Sequence, residues 1–253
     1  MSVICAVNNS DELLQICQND VFGTKISAYY DVYSPFSQND GFYIQKNGDE
    51  IFAALSKIDS NVVLTAKEDV DFSEISSFLH FYGFSTIQCD IRVADKLGLK
   101  PDATGYVVEF TNKITSENSD LLFSDAYCVD YKQLYRLLSD CGFDMPQYSN
   151  WLADFSLRLR RQKAFVCEKQ DGEKLICTAS ALFVSESSVL LGAVATRPEY
   201  RGKGMAGELV SFMASYFSSQ GKTVRLMCRE KMLPFYERLG FVKAGEWAQI
   251  NDS

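Results

Sequence analysis

Between Arg197 and Gly207 the chain reads Arg-Pro-Glu-Tyr-Arg-Gly-Lys-Gly-Met-Ala-Gly, with three glycines and two cations, Arg201 and Lys203, packed into seven residues. An apolar run, Val189 to Ala195, leads into it. A helical pattern with Leu209, Val210, Met213, Ala214 and Phe217 on one face leads out. The glycines and cations therefore fall where a helix begins. Amide N–H groups at that end have no partner within the helix, and the helix dipole favours negative charge there. Glycine lets an anion come close to the main chain. The chemistry this segment could do is to hold a phosphate or diphosphate.

Two phosphate ligands compete for the loop. Gly202, Gly204 and Gly207 fit the dinucleotide spacing G-x-G-x-x-G, with Glu230 downstream in the region of a ribose-binding acid. In dinucleotide folds, however, the glycines follow the strand directly and open a series of βαβ units. Here five residues, Arg197 to Arg201, intervene, and a single strand–helix–strand follows. No Gly-Lys-Ser/Thr closes a nucleoside-triphosphate loop. The segment Arg201-Gly-Lys-Gly-Met-Ala206, with Val194-Ala-Thr-Arg-Pro-Glu-Tyr200 before it, resembles instead the R/Q-x-x-G-x-G/A diphosphate loop of the GNAT superfamily, the acyl-CoA-dependent N-acyltransferases. Pro234-Phe-Tyr-Glu-Arg-Leu-Gly-Phe241 resembles that family's second signature, a tyrosine-bearing helix closed by Leu-Gly-Phe.

The resemblance implies a site. Main-chain groups of Val194, Ala195 and Thr196 would hold pantetheine, and a backbone N–H near Val194 would meet the oxyanion. Arg201, Gly202, Lys203, Gly204, Met205, Ala206 and Gly207 would hold the diphosphate, and Tyr236 would protonate the leaving thiolate. A tyrosine hydroxyl, with its ordinary pKa of about 10, is protonated at neutral pH and can donate to sulfur. The family often has Asn seven positions before this tyrosine; here Arg229 stands there, and a cation can meet a phosphate instead. The general base has no clear candidate. His80 is the single histidine and falls on a helical pattern of the first half, and Glu168, Glu186 and Glu199 read as solvated. Acetyl-CoA is the implied acyl donor, and no metal is implied.

The elements that must position this loop repeat across the chain. The second half reads as strand Asp125 to Val129, helices Tyr131 to Ser139 and Tyr148 to Arg160, and strands Lys163 to Lys169, Lys174 to Val184 and Val189 to Ala195. The loop, its helix, strand Thr223 to Cys228, the tyrosine helix and a last strand follow. The first half has the same order: strand Val3 to Val7, helices to Tyr33, strands Phe42 to Lys46, Ile51 to Lys57 and Asn61 to Ala66, helix Phe72 to Phe81, and strand Thr86 to Ile91. Between Val62 and Cys89 it is shorter than its counterpart Val189 to Cys228, and what it lacks is the glycine loop. Lys67-Glu-Asp-Val-Asp71 stands there, and a carboxylate cluster repels phosphate. We therefore expect an α/β (layered α+β) chain of two tandem GNAT-like domains, each a mixed, mostly antiparallel sheet flanked by helices. Residues 1–113 would form a degenerate domain without CoA binding, and residues 114–253 the CoA-binding catalytic domain. The polar segment Thr111 to Asp120 reads as the linker.

Composition narrows the function classes. With 253 residues, 47% of them hydrophobic, the chain can bury one large core or two ordinary ones. A net charge of −8 argues against nucleic acid as a partner. Basic residues outnumber acids between Val189 and Lys243, as a polyanionic ligand requires. No apolar run approaches the roughly 20 residues that cross a bilayer, and the start lacks a signal-peptide pattern. The eight cysteines show no C-x-x-C pairing, which points to reduced thiols in a cytoplasmic protein, monomeric or homodimeric. The expected function is acetyl transfer from acetyl-CoA to an amine. A catalytically inactive CoA-binding regulatory module is the alternative, and a dinucleotide oxidoreductase a third reading.

Overall fold

The computed structural model describes residues 2–18, 20–34, 41–112 and 121–252. The chain divides into two compact units. The first comprises Met1–Val108, Met227–Pro234 and Lys243–Ser253; the second comprises Glu109–Leu226 and Phe235–Val242. The expected boundary at 113/114 and most of the expected linker lie outside the described residues.

The first unit opens with β1 (Val3–Ala6), α1 (Ser10–Cys17) and α2 (Val21–Tyr33), followed by β2 (Phe42–Asn47), β3 (Glu50–Ile58) and β4 (Asn61–Ala66). Then come α3 (Phe72–Tyr82), β5 (Thr86–Asp90), α4 (Ile91–Lys96) and β6 (Ala103–Phe110). Asn9, Asp20 and Asp71 cap α1, α2 and α3 by accepting amides of the first turn with their side chains. Strands β1 to β4 pair antiparallel in sequence, and β5 then pairs parallel to β4. The outer partner of β5 is β11 (Phe241–Asn251), antiparallel from Trp247 opposite Asp90 to Asn251 opposite Thr86. Ile75 and Leu79 of α3 pack with Leu55, Leu64 and Ile87 of the sheet and with Ala248 and Ile250 of β11. Such buried aliphatic side chains contribute about 1.5–3 kcal/mol each.

The second unit contains α5 (Tyr131–Asp140), α6 (Tyr148–Arg160), β7 (Phe165–Asp171), β8 (Lys174–Val184) and β9 (Ser188–Thr196). A short 3-10 turn (Pro198–Tyr200), α7 (Met205–Ser219), β10 (Thr223–Cys228) and α8 (Leu233–Glu237) follow. Strands β7, β8 and β9 are antiparallel neighbours, and β10 runs parallel to β9. Both units thus show one plan: two helices, an antiparallel three-strand meander, a crossover helix and a parallel strand. The repeat read from the sequence is present, and the fold is the mixed, mostly antiparallel α/β type expected. The five apolar residues expected on one face of α7, Leu209 to Phe217, are all buried. Leu134, Leu137 and Leu138 of α5 meet Trp151, Phe155 and Leu159 of α6 over Val166 and Leu175.

One expected element is absent. Asp125 to Val129 is not a strand but a turn, because the Asp125 side chain accepts the Tyr127 amide (2.7 Å) while its carbonyl accepts those of Cys128 and Val129. An aspartate that satisfies its own following backbone competes with the ladder and wins. All eight cysteines are free thiols. No helix among the described residues is long and apolar enough to cross a membrane.

Candidate functional site

The parallel pairing of β9 with β10 runs from Ser188 opposite Thr223 to Leu191 opposite Leu226, whereas β9 itself continues to Thr196. The last five residues of β9 are therefore released from that neighbour. On the other side the register with β8 slips: Ser180 faces Gly192 and Thr178 faces Ala195, so Ala193 and Val194 together oppose Ala179. This is a β-bulge, which disrupts the ladder locally and re-aims main-chain groups. Ala193 carries it in the left-handed region, with φ 49°, a conformation that a non-glycine residue adopts only where its surroundings impose it. Val194 and Thr196 are half-buried and Ala195 is buried. The Thr196 carbonyl accepts from Arg201 Nε (3.0 Å), and its hydroxyl pairs with Cys177 Sγ (3.1 Å).

The loop after β9 is braced before it reaches the glycines. Arg197 Nε donates to the Leu175 carbonyl (2.8 Å). Tyr200 donates its hydroxyl to Asp171 Oδ2 (2.5 Å), which holds that phenol above its ordinary pKa. Glu199 pairs with Lys174, whose hydrogen bond lowers the Glu199 carboxyl pKa. Arg201, Gly202, Lys203 and Gly204 are exposed, and Met205, Ala206 and Gly207 are half-buried at the start of α7.

Gly204 is the N-cap of α7, at φ 80°, and has no side chain to close the helix end. No heavy atom lies within 4 Å of where a Cβ on Gly202 or Gly204 would stand. Gly207 serves packing: a Cβ there would be 3.3 Å from Leu239 Cδ2. The equivalent helix of the first unit is closed. Asp71 Oδ1 accepts the amides of Ser73 and Glu74, both at 3.1 Å, and the Asp71 amide and carbonyl are bound by Gln45. Where α7 offers bare amides to an anion, α3 already holds a carboxylate of its own.

Tyr236 lies on α8 and is 7% exposed, with its ring 4.9 Å from Phe235 and 6.0 Å from Phe241. Leu239 and Gly240 turn the chain after it, at φ 87° for Gly240. Asn112 Nδ2 stands 2.4 Å from where a Cβ on Gly240 would be, so only glycine fits the Leu-Gly-Phe turn. Arg229 belongs to the first unit, where it is exposed with its guanidinium 5.2 Å over the Trp247 ring. The second unit thus brings together Val194 to Thr196 and Arg201 to Gly207, joined by the bond from Arg201 to the Thr196 carbonyl.

His80 is exposed in the last turn of α3. Glu168 is half-buried, and Ser124 Oγ donates to it at 2.8 Å; burial raises its carboxyl pKa. Three participants escaped the sequence reading. Asp171, 29 residues before its partner Tyr200, had no signal that would pair the two. Cys141, whose Sγ approaches the Thr196 carbonyl (3.5 Å) and Arg201 Nη2 (3.9 Å), had no local signal. Nor had the ion pair of Glu109 with Arg225.

Residues 160–243 match the acetyltransferase (GNAT) domain family model. No curated protein matches the chain by sequence. Among solved structures, a GCN5-related N-acetyltransferase from Sphaerobacter thermophilus superposes with a TM-score of 0.62 at 13% identity, covering 99% of this chain and 95% of that one. A tandem GNAT protein from the clavulanic acid biosynthesis pathway gives 0.60 at 12% identity, covering 98% and 97%. A putative acetyltransferase from Pyrococcus horikoshii gives 0.59 at 9% identity, covering 100% and 90%. At these identities the likeness shows the fold, and the fold extends over the whole chain. Residues 160–243 thus match a GNAT acetyltransferase domain, and the fold of the whole chain is the one that these acetyltransferase structures share.

Proposed function

We propose that the protein is a cytoplasmic N-acetyltransferase that moves an acetyl group from acetyl-CoA to the amine of a small molecule or peptide. The observation that carries this reading is the open N-terminus of α7: a left-handed Gly204, no side-chain cap, and Arg201 and Lys203 exposed beside it. Bare helix amides with adjacent cations suit a diphosphate. In this reading Arg201 to Gly207 hold the diphosphate. The edge of β9 from Val194 to Thr196 takes pantetheine as a short strand.

Acetyl-CoA supplies the activated acyl carbon. The chain's own contribution is positional and electrostatic. The bulge at Ala193–Val194 presents a main-chain N–H to the oxyanion that forms when the amine nitrogen adds to the carbonyl carbon. One such donor is worth about 3 kcal/mol of barrier. As the C–S bond breaks, the Tyr236 hydroxyl gives its proton to the departing thiolate, and the proton shed by the amine nitrogen passes through water and restores the phenol. The first unit, with α3 sealed by Asp71, takes no CoA.

A thiol-release assay over a panel of amines, run beside calorimetry with acetyl-CoA, tests this. The reading requires one acetyl-CoA bound per chain and amine-dependent thiol release. Binding with no release for any amine would make the chain a CoA-holding module. Stabilisation by NADPH with no response to acetyl-CoA would replace the ligand altogether.

A further inference from the structure

Lys169 of β7 is opposite Cys177 of β8, and Cys177 is opposite Thr196 of β9. Cross-strand partners share a face, so the three side chains form a row across the sheet. Within that row Cys177 Sγ meets the Thr196 hydroxyl at 3.1 Å. The helix α7 lies over the β7 end of the row, where Lys169 Nζ donates to Glu208 Oε2 at 2.7 Å. Glu208 is one turn inside α7, its amide bonded to the Gly204 carbonyl at 3.0 Å. Burial raises the Cys177 thiol pKa, and both charges reach it, Lys169 against that rise and Glu208 with it.

A carboxylate in the first turn suits the helix dipole. It also stands about 6 Å along the axis from the N-cap, where an incoming anion meets like charge. That is inside the Debye length of about 10 Å at 0.1 M salt. The two cations of the glycine loop are otherwise engaged: Arg201 is tied to the Thr196 carbonyl, and Lys203 Nζ lies 5.0 Å over the Tyr200 ring. Lys169, 25% exposed against 52% for Glu208, is the cation that answers this carboxylate. We infer that Lys169 is a positioning residue for the cofactor: it cancels the Glu208 charge at the N-terminus of α7 and so lets a diphosphate settle on the helix amides. The anion's identity, a CoA diphosphate, rests on the transferase reading above. Affinity then follows the net charge of the pair. It is positive in Glu208→Gln, neutral in wild type and in the double variant Lys169→Met/Glu208→Gln, and negative in Lys169→Met.

The test titrates the full chain with acetyl-CoA, with S-acetylpantetheine, which lacks the diphosphate, and with inorganic diphosphate. Acetyl-CoA and diphosphate should bind Glu208→Gln about fivefold more tightly than wild type and Lys169→Met about fivefold more weakly, with the double variant back near wild type. These differences should fade in about 0.5 M salt, and S-acetylpantetheine should not distinguish the four proteins. A Lys169→Met that binds acetyl-CoA like wild type, or a double variant as weak as Lys169→Met, would overturn the assignment and leave the transferase reading intact. A brace that only pins α7 to β7 predicts the second of those patterns, with equal losses for S-acetylpantetheine. Should Lys169→Met not fold, Glu208→Gln decides alone: tighter binding upholds the assignment, and equal or weaker binding overturns it. Diphosphate binding in the expected order, without acetyl-CoA binding or thiol release, would uphold the assignment and overturn the transferase reading. No binding of either anion by the wild type would overturn both.

Discussion

Arg201 Nε donates to the carbonyl of Thr196 at 3.0 Å, so the arginine that opens the glycine loop is tied back to the last residue of β9. The tether joins the segment proposed for pantetheine to the segment proposed for the diphosphate. It uses one edge of an exposed guanidinium. Arg201→Glu removes both the tether and a charge-assisted donor, and adds a charge that repels phosphate. Acetyl-CoA affinity should fall by at least about thirtyfold, read by titration calorimetry. An exposed substitution of this kind leaves Tm nearly unchanged. Unaltered affinity in the folded variant would mean that the anion sits elsewhere.

The contrast between Asp71 and Gly204 gives a stoichiometry. In α3 a carboxylate already occupies the place of an incoming anion, and the amides that hold it keep that carboxyl below its ordinary pKa. Calorimetry should therefore return one acetyl-CoA per chain. Asp71→Ala should lower Tm through loss of the cap and should not create a second site, because Glu74 remains in the first turn. A stoichiometry of two, in either protein, would refute the assignment of a silent first unit.

What was legible in the sequence was local. The glycine loop, the Leu-Gly-Phe turn and the buried face of α7 each depend on residues within a few positions of one another, where spacing alone carries the physics. The pairs that brace the site are far apart in the chain: Tyr200 with Asp171 across 29 residues, Arg225 with Glu109 across 116. Such partners meet only once strand register is set, and register is a tertiary property. Trp247, Ala248 and Ile250 alternate as a strand should, yet nothing in that alternation names β5 as their neighbour. Asp125 misled for a different reason, since its side chain offered the backbone a turn where apolar neighbours suggested a strand.

Tyr236 tests the chemistry apart from binding. Its ring is buried between Phe235 and Phe241, and removing the hydroxyl leaves that packing in place. Tyr236→Phe should lower kcat by about tenfold or more, the range of a lost general acid, with acetyl-CoA affinity held within about twofold. Unchanged kcat would reduce Tyr236 to a packing residue.

The thiols should sort by burial. Cys17, Cys89 and Cys167 are pushed up to about 12 by desolvation and Cys228 to about 11, while Cys128 is exposed. Because the thiolate is the reactive form, a thiol-specific reagent near pH 8 should modify Cys128 rapidly. Cys17, Cys89, Cys167, Cys177 and Cys228 should respond only after denaturation. Rapid reaction of Cys167 in the native protein would contradict the burial described for β7.

Glu168 makes the stability of the second unit depend on pH in a predictable direction. Burial raises its carboxyl pKa, and the hydrogen bond from Ser124 only partly offsets this. A carboxyl whose folded pKa lies above its unfolded value holds its proton more readily when folded. Its contribution therefore worsens as pH rises from the ordinary carboxylate range, about 4.3, through the raised folded value, and the full cost is present at neutral pH. Glu168→Gln keeps an oxygen to accept from Ser124 and removes the charge. The variant should melt higher than wild type near pH 8, with the difference shrinking toward zero as pH falls to about 4. Scanning calorimetry across that range reads it directly. A difference in Tm that stays constant with pH would show that the buried charge is not its source.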